Sequence, residues 1–129
     1  MVKSQTQTEF KIVDDQIGAP TYTKDLAVGI VSLIEKDSRG IVNVANSGCC
    51  SWYQFAKKIL ELKGLKGVVV HPISSKEFHA PASRPSNSRL TCNRFRDLTG
   101  YNLRSWQEAL TDYLDEREKN GKIFLKIDI

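Results

Sequence analysis

Four prolines, three cysteines, two tryptophans and one methionine among 129 residues exclude several specialised classes. The cysteines, Cys49, Cys50 and Cys92, are odd in number and two are adjacent, which fits neither a disulfide framework nor zinc-ligand spacing. They read as small buried or loop thiols of a reducing compartment. No apolar run approaches the ~20 residues of a membrane span, and the polar start MVKSQTQTEF has no apolar signal core. The expectation is a cytoplasmic protein without a membrane partner. The sequence also has no Gly-x-Gly-x-x-Gly, no Walker loop and no Gly-x-Ser-x-Gly elbow. His71 and His79 have no metal-ligand spacing, so no catalytic, cofactor-binding or metal-binding residue is assigned to this chain.

Basic excess is small. The net charge of +4 and pI near 9.0 come from bases interspersed with acids, as in Arg94-Phe95-Arg96-Asp97. Without a basic stripe interleaved with aromatics, nucleic acid is not an expected partner. A small anionic ligand suits the charge equally well. With 40% hydrophobic and 26% charged residues, the chain fits one ordinary globular domain over 1–129. Residues 1–9 read as a linker. The apolar tail, 120–129, adds a strand, packs on a partner or belongs to a truncated reading frame, and residue types do not choose among these.

The pattern between these ends alternates strand and helix. Residues 10–13 read as a strand, followed by a turn at Gly18-Ala19-Pro20 and a helix from Thr21 or Thr23. Its expected apolar stripe is Leu26, Ile30, Leu33 and Ile34. The β-branched run 41–45 predicts a buried strand. Ser51-Trp52-Tyr53-Gln54 has capping-box spacing and opens a second helix ending near Gly64. Residues 67–70 predict another strand and 79–88 a loop. A short helix is expected from about Thr91 to Leu98, and a last one after the capping box at Ser105. This is an α/β fold with packed helices and a small parallel or mixed sheet.

Two loops hold candidate ligand groups. In the first, Gly18 permits a tight turn and Pro20 stiffens it, with Gln16 and Thr21 able to present hydrogen-bonding groups. Residue types alone favour a plain strand-to-helix connection with Thr21 or Thr23 as N-cap. In the second, Arg84-Pro85-Ser86-Asn87-Ser88, an arginine fork with Asn87 and Ser88 beside it suits a diphosphate. A solvated surface arginine fits equally, and Arg89 is the alternative anion partner. Trp52 and Trp106 each follow a capping serine and read as core or staple residues, with Trp52 alternatively covering a ring at a pocket mouth. Tyr53 and Lys57 form the sole Tyr-x-x-x-Lys pair, where a half-packed tyrosine beside a solvated lysine is the favoured reading over a proton donor.

Four separated motifs carry a resemblance. Asp15-Gln16-Ile17-Gly18-Ala19-Pro20-Thr21 resembles the "D-Q-x-G-x-P-T" segment of dTDP-4-dehydrorhamnose reductases. Residues 40–48 and Ser51-Trp52-Tyr53-Gln54-Phe55-Ala56 resemble "G-x-Y-H-x-x-x-x-G" and "S-W-Y-E-F-A", with Val42-Asn43 in place of Tyr-His. Arg84-Pro85-Ser86-Asn87-Ser88-Arg89-Leu90 is similar to "R-P-x-N-S-x-L", and Trp106-Gln107-Glu108-Ala109-Leu110 to "W-x-x-A-L". The resemblance spans about residues 10–115.

It implies the C-terminal substrate-binding portion of an extended short-chain reductase fold without the dinucleotide-binding half. In that family NADPH delivers hydride to the C4 ketone of dTDP-4-dehydro-L-rhamnose, giving dTDP-L-rhamnose for polysaccharide, and the cofactor loop and catalytic Tyr-x-x-x-Lys lie in the preceding half. The expectation is therefore a fragment or separately expressed domain that needs no cofactor itself and binds a dTDP-linked nucleotide sugar without catalysis. By analogy Gln16, Thr21, Arg84, Asn87 and Ser88 contact that ligand, with Arg84 on the phosphates. The missing cofactor-binding half or a homodimer mate is the expected protein partner. A regulatory or interaction module on the same scaffold, and a reductase for another nucleotide sugar, are the alternatives.

Overall fold

The computed structural model describes residues 8–120. Most of the expected linker and nearly all of the apolar tail lie outside these residues. Strand β1 (Thr8–Val13) pairs in parallel with β4 (Val68–Ile73), in the register Thr8↔Val68 to Val13↔Ile73. A second, antiparallel pair joins β2 (Ile17–Gly18) to β3 (Cys50–Ser51). Helices α1 (Thr23–Glu35) and α2 (Trp52–Lys63) fall between the outer strands; α3 (Ser75–Phe78), α4 (Asn93–Thr99) and α5 (Trp106–Lys119) follow β4. The small parallel sheet with packed helices agrees with the α/β expectation.

Local chemistry explains several boundaries. Ser51, Ser74 and Ser105 each accept from the backbone N–H three residues on, while Gln54, Glu77 and Glu108 reach back to the capping backbone. Gly64 and Gly100 close α2 and α4 in the left-handed conformation. Helix α3 was not foreseen, although Ser74-x-x-Glu77 carries the same capping signal.

The main core is formed by Cys50, Trp106, Leu110 and Leu114, with Phe55, Ile59 and Tyr113 packed against it. A second nucleus surrounds the fully buried Phe95. There α1 turns Gly29 inward, and a Cβ at that position would lie 3.2 Å from Val44 Cγ1 and 3.3 Å from a Phe95 ring carbon.

Three local expectations are corrected. The N-cap of α1 is Tyr22, without a side-chain cap, because Thr21 Oγ1 is turned to Ala19 O (3.1 Å). The predicted stripe of α1 is only half its inner face: Leu26 and Leu33 are half-buried on either side of the buried Gly29, whereas Ile30 and Ile34 are exposed with Val28 and Val31. The helix is apolar nearly all round, so periodicity could not select the inner side. Residues 41–46 join no sheet among the described residues, and Ile41 is 85% exposed. Their β-branched composition favours a strand, but a strand also needs a neighbour to pair and pack with.

Candidate functional site

The two candidate loops meet. Ile17 N–H donates to Ser86 O (2.9 Å) and Ser88 N–H to Ile17 O (2.9 Å), which ties the 84–88 segment to β2. Gly18 allows the close approach, since a Cβ there would lie 3.2 Å from Ser88 Oγ. Between these loops and the start of α2 lies a cavity of about 650 Å³ lined by Gln16, Gly18, Pro20, Trp52, Arg84 and Ser88, among others. A second cavity of about 520 Å³ adjoins it, bordered by Lys11, Val13, Phe78 and Pro81. Gln16, Trp52 and Arg84 border both.

The polar groups of this site differ in how far the chain uses them. Arg84 makes no hydrogen bond or ion pair with the described residues and is exposed, so its five donors stay available to an anion. Gln16 is held on one side. Ser75 N–H donates to both Asp15 carboxylate oxygens (2.9 and 3.0 Å), and Ser75 Oγ–H donates to Asp15 Oδ1 (2.5 Å). Those bonds hold the Asp15 carboxyl below the usual carboxylate range. With its hydroxyl proton committed to Asp15, Ser75 Oγ accepts from Gln16 Nε2 at 2.8 Å.

Ser88 lines the larger cavity while its Oγ donates to Ile17 O at 3.2 Å. Asn87 lies beside the site rather than lining it: its Oδ1 accepts from the backbone N–H and Nε of Arg89 (3.1 and 3.0 Å). Arg89 is thereby turned toward Asn87 and Cys49. Thr21 sits apart, lining a smaller apolar cavity with Phe55, Trp106 and Tyr113. Thus the structure brings Gln16, Arg84 and Ser88 together, and places Thr21 and Asn87 where their side chains serve the chain itself.

Trp52 is not the core or staple residue that its position favoured: it is 61% exposed at the edge of both cavities, the place that the pocket-mouth alternative gives it. One feature escaped the sequence reading. Asn46 is buried and acts as a hub, accepting from Tyr22 N–H (2.8 Å) and donating to Asp25 Oδ2 (2.7 Å) and Arg104 O (3.1 Å). It anchors the far end of the Gly18–Tyr22 loop. A lone asparagine after a hydrophobic run carries no signal of that role. Lys57 Nζ sits over the Tyr53 ring, 5.5 Å from its centroid, away from both cavities in the helix α2 surface.

A family model described as "RmlD substrate binding domain" matches residues 1–119. The chain belongs to this family. Among its relatives, the spore coat polysaccharide biosynthesis protein SpsK of Bacillus subtilis is 42% identical over 114 residues, covering 88% of this chain and 39% of SpsK. A dTDP-4-dehydrorhamnose reductase of Sinorhizobium fredii is 35% identical, with 82% and 39% covered. The RmlD-type domain also superposes on crystal structures of two such reductases. That of Bacillus anthracis, in complex with NADP, gives a TM-score of 0.80 at 42% identity, over 84% of this chain and 38% of that one. That of Clostridium acetobutylicum gives 0.80 at 38% identity, over 88% and 40%. The chain therefore spans about two-fifths of the length of these relatives.

Proposed function

We propose that this chain is the nucleotide-sugar-binding part of a dTDP-4-dehydrorhamnose reductase, and that by itself it binds the dTDP-linked sugar without reducing it. The observation that carries this reading is the Arg84 guanidinium, unpaired among the described residues, at a cavity shared with Gln16 and Ser88. A guanidinium fork takes two oxygens of a diphosphate in parallel hydrogen bonds, and Gln16 and Ser88 line the same cavity beside it. Thr21 and Asn87 contribute by shaping the two loops. A cytoplasmic location is part of the same reading.

NADPH is not the ligand proposed for this chain, whose described residues include no Gly-x-Gly-x-x-Gly turn. Pyrophosphate of a dinucleotide is held at a glycine-rich turn opening onto free amides of a helix. Here α2, α3 and α5 have a leading amide occupied by a capping serine. In this proposal the hydride donor belongs to the part of the reductase that this chain does not cover. That part also covers the outer face of α1, where Val28, Val31 and Ile34 are exposed. The same exposed face favours one rival, a non-enzymatic module that docks a partner protein there.

Calorimetric titration with dTDP, with NADPH as control, tests the proposal. It predicts dTDP binding that Arg84→Ala abolishes, and no heat from NADPH. NADPH binding, or a folded chain silent toward dTDP, contradicts it and advances the partner-module reading.

A further inference from the structure

Phosphate recognition leaves Trp52 without a role. The residue opens α2 directly after the Ser51 capping box, so its backbone is fixed, yet its indole is 61% exposed. The other tryptophan, Trp106, follows the equivalent cap of α5 and is 6% exposed. Identical local chemistry thus sends one indole into the core and the other to a cavity edge.

The neighbours of Trp52 point to a use. Only Gln16 and Arg84 share both cavities with it. Gln16 presents a fixed polarity: Ser75 gives its hydroxyl proton to Asp15 and takes a Gln16 N–H. The Gln16 Oε1 acceptor then has no partner among the described residues. An aromatic face, an oriented amide acceptor and a guanidinium with no partner among the described residues are the three groups that a planar heterocycle bearing a ring N–H and linked to phosphates requires.

We propose that Trp52 is the stacking platform for the base of a nucleoside diphosphate, with Gln16 Oε1 accepting from the edge of the base and Arg84 holding the phosphates. This rests on the nucleotide-sugar reading above and divides its site into a ring subsite and a phosphate subsite. The division predicts that ring and phosphate contacts can be lost separately.

The test compares dTDP with inorganic pyrophosphate on wild type, Trp52→Ala, Trp52→Phe and Arg84→Ala, with circular dichroism verifying the fold of each. Losing a base stack lowers affinity by about tenfold or more. The expected result is such a loss of dTDP affinity in Trp52→Ala, substantial recovery in Trp52→Phe, and unchanged pyrophosphate affinity in both. Undiminished dTDP affinity in Trp52→Ala, with Arg84→Ala still deficient, overturns the stacking role and leaves the phosphate site standing. Equal loss of dTDP and pyrophosphate in Trp52→Ala also overturns it, by showing a merely structural effect. Wild type that binds neither ligand overturns both the subsite and the reading beneath it.

Discussion

Arg104 holds Asp25 through two parallel donors: Nε reaches Oδ2 and Nη2 reaches Oδ1, each at 2.9 Å. The pair joins the loop before α5 to the first turn of α1, and Asn46 bonds the same carboxylate at 2.7 Å. Asp112 engages the remaining terminal nitrogen of Arg104. Asp25 is largely shielded, with 14% of its side chain exposed, so losing the guanidinium leaves an under-partnered carboxylate. Arg104→Ala is expected to lower stability by about 2 kcal/mol, read as a shift of the urea midpoint with an unchanged slope. Arg104→Lys recovers only part, because an ammonium cannot reproduce the bidentate fork.

The same cluster sets an acid limb of stability. The hydrogen bonds from Arg104, then that from Asn46, outweigh desolvation and hold the Asp25 carboxyl below its ordinary value of 3.8. A carboxylate whose native pKa is depressed stabilises the fold fully above its unfolded value. That contribution is lost as pH falls through the depressed native value. Urea midpoints measured downward from pH 5 are expected to fall, and to fall less steeply in Asp25→Asn, which is already weaker at pH 7.

Adjacent cysteines should behave differently. Cys49 is exposed, whereas Cys50 belongs to the core and its thiol is pushed up to about 11 by burial, with the neighbouring Cys49 adding to the shift. Since the thiolate is the nucleophile, mild iodoacetamide at pH 8 is expected to label Cys49 well before Cys50. Peptide mass spectrometry after timed quenching distinguishes them. Equal labelling rates would show that the β3 segment opens readily.

Much of the architecture was legible because its signals are local. The capping serines at 51 and 105, the glycine stops at 64 and 100, and the strand at the start of β1 need only neighbouring residues to specify them. Contacts that depend on distant partners were not legible. Residues 41–46 have strand composition but no described strand to join, and the apolar surface of α1 gives no sign that Gly29 is its inward side. The site divides in the same way. Gln16, Arg84 and Ser88 stand out by residue type and motif, and the structure unites them. The exposure of Trp52 and the Ser75 hold on Gln16 depend on how segments 36 and 59 residues away along the chain, respectively, pack together.

The central claim is that a nucleoside diphosphate occupies the cavity bordered by Gln16, Trp52 and Arg84. Its most direct test is an NMR titration of the ¹⁵N-labelled chain with dTDP, following the Arg84 Nε–H, the Gln16 side-chain amide and the two indole N–H signals. The account predicts saturable shifts at Arg84, Gln16 and Trp52, with the buried Trp106 signal unmoved. Saturable shifts confined to the exposed face of α1, or no shifts in a well-dispersed spectrum, would contradict it.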